Sequence, residues 1–120
     1  MRSGQLVMSR DQYIREFLAR PYIEVKRDGR VLNTKTGKYL KGSVTSGGYR
    51  VFSYRKGDKI WKLSAHRVIY LAINGYLSND LIVNHIDGDT LNNHPDNLEL
   101  VTQSTNMKHK YKLLSLGVAV

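Results

Sequence analysis

Val83-Asn84-His85-Ile86-Asp87-Gly88-Asp89, followed at a distance by Asn97-Leu98-Glu99-Leu100-Val101, is the stretch whose reading decides the fold. An apolar run from Leu81 to Val83 delivers Asn84 and His85 to a strand end, and Asp87-Gly88 is a tight-turn signal. A polar loop, Thr90 to Asp96, leads into Asn97–Val101, whose alternation predicts a second short strand. Thr102 then reads as the N-cap of a helix from about Gln103 to Leu114. Strand, loop, strand, helix carries His85 towards Asn106 in the first turn of that helix. A calcium loop is a competing reading of Asp87-Gly88-Asp89, and it fails on spacing. Leu91 would be the fifth position, Asn92 stands where glycine is required, and Leu98 where a bidentate Glu belongs.

This arrangement resembles the HNH endonucleases, whose fold is a ββα-metal motif, and within them the phage homing branch, where Asn replaces the last His of the signature. His85 falls on the first His and Asn97 on the central Asn. Asn106, after eight intervening residues, has the spacing of the last metal ligand. Asn84 stands where the family usually has a metal-binding Asp and sometimes Asn. The resemblance implies an α+β protein with a ββα-metal core that hydrolyses phosphodiesters of double-stranded DNA with one divalent ion, Mg2+ or Mn2+.

Such hydrolysis needs a base for water, a cation for the developing negative charge and help for the leaving oxygen. A neutral imidazole suits the first task near neutral pH, and amide or carboxylate oxygens suit a hard ion. On this reading His85 is the base, and Asn84 and Asn106 hold the metal. Asn97 bonds across the loop backbone and fixes the imidazole's approach. His109, three residues after Asn106 on the same helical face, is a further candidate for metal or phosphate. Two neutral amides bind Mg2+ less strongly than Asp with Asn, so Asn84 keeps a second function open: a DNA-binding protein with a catalytically dead form of this fold. Singly, Asn and Asp in a loop mostly shape turns, and a lone His beside an apolar strand is more often a core residue. Order and spacing together favour the catalytic reading. One His85 and one ligand set attack one strand at a time, which predicts a nicking enzyme acting as a monomer.

The charge distribution agrees with a polyanion partner. The net charge of +9 is uneven: residues 21–65 hold eleven Lys/Arg against Glu24, Asp28 and Asp58, a net of +8. Residues 66–107 hold Arg67 against five acids, a net of −4. A basic half joined to a carboxylate-bearing half points to nucleic acid, with Lys26, Arg30, Lys41, Arg50, Arg55, Lys62, Arg67 and Lys108 as candidate phosphate contacts. The 120 residues suit one compact domain. The absence of cysteine excludes disulfides and thiolate zinc sites. No apolar run approaches a membrane-spanning length, so a cytoplasmic location, without membrane contact, is expected.

Local patterns fill in the rest. Ser9 to Ala19 predicts a short helix with Tyr13, Ile14, Phe17 and Leu18 as its apolar stripe, stopped by Pro21. Tyr22–Lys26 and Arg30–Asn33 flank the turn Arg27-Asp28-Gly29. Tyr49–Tyr54 and Lys59–Leu63 flank Lys56-Gly57-Asp58. This predicts one antiparallel meander with an apolar face and a basic, tyrosine-bearing face, able to enter a DNA groove. It resembles the short module that precedes the core in phage homing nucleases. Ser64 caps a helix from Ala65 to Asn74, ended by Gly75, whose buried side is Val68, Ile69, Leu71 and Ala72; His66 and Arg67 lie in its first turn. The expected organisation is an N-terminal helix (1–21), a basic sheet (22–65) and the nuclease core (66–120). His94 is assigned no role.

Overall fold

The computed structural model describes residues 10–75, 77, 81–102 and 104. Within them the chain is a mixture of two helices and small antiparallel sheets. Helix α1 (Arg10–Leu18) places its apolar positions inward: Ile14 and Phe17 are buried, and Tyr13 and Leu18 pack against the same core. The chain leaves the helix through Ala19 and Arg20 before Pro21, as the proline requires. Ser9, the first residue of the expected helix, lies outside the described residues.

The single meander expected from Tyr22 to Leu63 is instead two sheets. Strands β1 (Ile23–Val25), β2 (Val31–Asn33) and β3 (Lys38–Tyr39) form the first; β4 (Ser43–Val44), β5 (Arg50–Lys56) and β6 (Lys59–Ser64) form the second. The break falls at Lys41-Gly42, where Gly42 takes φ +62 and redirects the chain so that β4 pairs with β5 and not with β3. The sequence signal missed this because β3 and β4 are two residues long each and carry no periodicity. In β5–β6 the pleat turns Phe52, Tyr54 and Leu63 to the core and leaves Ser53, Arg55, Ile60 and Lys62 on the outer face. Tyr54 thus joins the apolar side. Its hydroxyl donates to Glu16 Oε1 at 2.6 Å, and that bond, followed by contact with Lys56, holds the Glu16 carboxyl below its ordinary pKa.

Helix α2 (Ala65–Asn74) sits at the centre, against α1, β1, β5, β6 and the last two strands. Gly75 ends it in the left-handed region and donates its N–H to Leu71 O. Ser64 occupies the N-cap position, but its side chain makes no capping bond. Burial runs almost all round the helix, through Ala65 and the whole of Arg67–Leu71, whereas Ala72 is exposed. A helix with neighbours on several sides has no single apolar stripe, which is why the expected one was too narrow. Arg67 departs from the sequence expectation most clearly. It is 8% exposed, and its guanidinium donates to Asp11 Oδ1 at 2.6 Å. A guanidinium withdrawn from water needs such a partner, so this side chain joins α1 to α2 and is not displayed to phosphate.

Strands β7 (Ile82–His85) and β8 (Leu98–Val101) pair antiparallel, with Asn84 opposite Glu99 and His85 opposite Leu98. Val83 and Leu98 carry the pair into the shared core. No helix among the described residues is long and apolar enough to cross a membrane. The helix expected from Gln103, with Asn106, Lys108 and His109, falls outside the described residues apart from Ser104.

Candidate active site

His85 ends β7 where the chain turns, with Gly88 N donating to His85 O at 3.0 Å. Its ring is 5% exposed, and Nε2 lies 2.7 Å from Asn93 Oδ1. An amide oxygen can only accept, so in this orientation Nε2 carries the proton and Nδ1 keeps the lone pair. Two aromatic side chains stand beside the imidazole. The His66 ring centroid, at the start of α2, is 4.9 Å away, and Tyr49 lies 6.2 Å from His85 and 5.7 Å from His66.

The loop between the strands is held by its own polar side chains. Asn97 Oδ1 accepts from Asp87 N at 3.0 Å, and Asn97 Nδ2 donates to Asp87 Oδ1 at 2.9 Å and to Asn92 O at 2.8 Å. Asp87 also accepts from Asn92 Nδ2 and from Asp89 N. Burial alone would raise the Asp87 pKa. The bonds from Asn92, Asp89 and Asn97, together with the nearby His85, outweigh it and hold the carboxyl below its ordinary value. His94 accepts from Asp96 N through Nδ1 and so starts the 3-10 turn Pro95–Asn97.

Both sheets reach this loop. Thr90 Oγ1 donates to Gly48 O, in the β4–β5 turn, at 2.6 Å. In the β1–β2 turn, Gly29 approaches so closely that a Cβ there would stand 2.6 Å from Asn93 O. The residue that orients His85 is therefore wedged by a hairpin some sixty positions earlier in the chain.

Residues 64–108, which contain this loop and both its strands, match the family described as HNH endonuclease. The match to that family is confined to this segment, which is less than half of the chain. Over 98 residues the chain is 31% identical to DNA endonuclease I-HmuI of Bacillus phage SP01, covering 82% of this chain and 56% of that protein. Over 88 residues it is 34% identical to Uncharacterized HNH endonuclease L245 of Acanthamoeba polyphaga mimivirus, covering 73% of this chain and 27% of that protein. The solved structure "DNA binding and cleavage by the HNH homing endonuclease I-HmuI" matches with a TM-score of 0.65 at 32% identity, over 83% of this chain and 56% of that one. The chain thus spans about half the length of I-HmuI and a smaller part of L245.

Within the matched segment the structure brings His85, Asn84 and Asn97 into one strand–loop–strand unit. Asn84 is 7% exposed, and its Nδ2 donates to Glu99 Oε2 at 2.9 Å. No group of three or more His, Cys, Asp or Glu side chains suited to a metal exists among the described residues. The Glu99 carboxylate stands beside the Asn84 amide through that bond. Neither Asn93, in the polar loop, nor Glu99, in the second strand, has a role in the reading from sequence. For Glu99 the sequence carries no signal: pairing the two expected strands from the loop outward sets Leu98 opposite Asn84, and only the observed register, His85 with Leu98, brings Glu99 there.

The basic candidates divide. Lys26 pairs with Glu24 at 3.0 Å, and Arg30 pairs with Asp28 at 2.7 Å while lying over the Tyr39 ring at 4.2 Å. Arg50 donates to Lys41 O and braces the β3–β4 connection. Lys41 and Arg55 are exposed, and Lys62, also exposed, donates to Ser53 Oγ on the same outer face.

Proposed function

We propose that this chain is a nuclease unit of the homing type that hydrolyses phosphodiesters of double-stranded DNA with one divalent ion, Mg2+ or Mn2+. The observation that carries the reading is His85, buried at a strand end, with Nε2 fixed on Asn93 Oδ1 and Nδ1 left as the basic atom. In that tautomer Nδ1 takes a proton from water as the water attacks phosphorus. Asn93 then stabilises the imidazolium by accepting from Nε2. Asn97 acts one step further out, closing the loop between Asp87 and Asn92 so that Asn93 is presented to the ring.

Asn84, with Asn106 as the counterpart of the family's last ligand, would hold the ion through amide oxygens. The buried amide of Asn84 with a carboxylate beside it is a donor set suited to a hard cation. When bound, such an ion supplies positive charge for the phosphoryl oxygens and the leaving oxygen. The outer face of β5–β6, with Arg55 and Lys62, is assigned to the phosphate backbone together with Lys41. One His85 attacks one strand, so a monomer nicks.

Supercoiled plasmid with Mn2+ tests this directly. Open circles should appear well before linear DNA, and EDTA should abolish them. His85→Ala should slow nicking by about a hundredfold or more while DNA affinity is kept, and Asn93→Ala by about tenfold or more. Tight DNA binding without nicking at any Mn2+ concentration would establish the DNA-binding reading in its place.

A further inference from the structure

The weak point of the proposed metal site is its charge. Position 84 carries an amide, and a site made of Asn84 and Asn106 alone would present no anion to a divalent ion. The structure shows where an anion is. Asn84 and Glu99 are direct cross-strand partners, so their side chains leave the same face of the β7–β8 pair. The Asn84 amide donates through Nδ2 to Glu99 Oε2 at 2.9 Å. Asn84 is buried, while Glu99 is only partly so.

We infer that Glu99 is the anion that serves the metal site: it acts through Asn84, fixing the amide by its Nδ2 and placing a negative charge behind the amide, on the side away from the ligand oxygen. Three features support this over an ordinary cross-strand polar pair. A carboxylate that accepts from Nδ2 fixes the rotation of the amide plane, so Oδ1 is turned away from Glu99, which is the orientation a ligand oxygen needs. The hydrogen bond that Oε2 accepts from Nδ2 also polarises the amide and makes Oδ1 a stronger ligand for a cation. Finally, among the described residues no Lys or Arg is paired with Glu99, so none of them competes for its charge. Glu99 is thus a positioning residue, and the inference rests on the metal-dependent reading above.

The test is a Mn2+ titration of the full chain, following the free-ion signal by electron paramagnetic resonance, with no DNA present. Glu99→Gln keeps the shape and can still accept from Asn84 Nδ2, so a merely structural role would survive it. The charge would not, and Mn2+ affinity should fall by about 10- to 100-fold, with the thermal midpoint in EDTA unchanged. The double variant Asn84→Asp with Glu99→Gln exchanges carboxylate and amide across the same strand pair. It should recover affinity to within a few-fold of the wild-type chain. Wild-type binding matched by Glu99→Gln would overturn this inference and leave the nuclease reading standing. A double variant as weak as Glu99→Gln would overturn the shared-charge pairing. A wild-type chain that takes up no Mn2+ would overturn this inference and the metal-dependent reading together.

Discussion

Gly29→Ala is a single methyl placed far from any reacting atom, and it should disable the site. Gly29 has φ +90, a conformation that costs an L-residue about 1–2 kcal/mol. The new Cβ would also stand 2.6 Å from the backbone oxygen of Asn93 and 3.1 Å from Pro95 Cδ. Ordinary carbon contacts lie near ~3.5 Å, so hairpin and loop must part by roughly 1 Å. Asn93 is the residue whose Oδ1 holds His85 Nε2 at 2.7 Å. A displacement of about 1 Å at a positioning group costs on the order of a hundredfold in rate. The expected outcome is a loss of about 2 kcal/mol in urea unfolding and a plasmid-nicking rate lower by ten- to a hundredfold. Gly57→Ala is the control, since Gly57 has φ +65 but nothing within 4 Å of its Cβ position. That variant should show the backbone cost without the kinetic one. Equal nicking by Gly29→Ala and the wild-type chain, or equal losses in both variants, would refute the claim that the β1–β2 turn positions Asn93.

Three further outcomes follow from the same geometry. Asp11→Ala leaves the Arg67 guanidinium, whose side chain is 9% exposed, without its partner, and should cost about 3–5 kcal/mol in urea unfolding; a loss below about 1 kcal/mol would mean that water already reaches the pair. Arg55→Gln and Lys62→Gln should each reduce the slope of log DNA affinity against log salt by about one, and a slope unchanged by both would take phosphate contact off the outer face of β5–β6. The Asp87 carboxyl has a folded pKa below its ordinary 3.8, so its contribution is complete above that value and is lost as pH falls through the lower one. The difference in urea midpoint between the wild-type chain and Asp87→Asn should therefore be constant near neutrality and shrink as the pH falls below about 4, and a difference that does not shrink on acidification would contradict the Asp87 network.

The elements of this chain with strong local patterns were legible in the sequence. Helix α1 follows from the spacing of Ile14 and Phe17 ahead of Pro21, and α2 ends at Gly75 as expected. Strands β7 and β8 follow from apolar alternation on either side of a polar loop. These signals are local because periodicity and turn chemistry act within a few residues. The sequence also drew attention to His85, Asn84 and Asn97, by residue type and spacing. Their partners were a different matter. Asn93 meets His85 only because Asn97 closes the loop, and Gly29 meets Asn93 only because the first sheet packs against that loop. Glu99 meets Asn84 through register alone, and a slip of one residue would set Leu98 or Leu100 there instead. Arg67 looked like a DNA contact until α1 brought Asp11 to it across 56 positions. Local pattern determined the two helices and the longer strands, but not the short β3 and β4. Packing and register decided which polar groups face each other, because those contacts join segments that no short-range pattern connects.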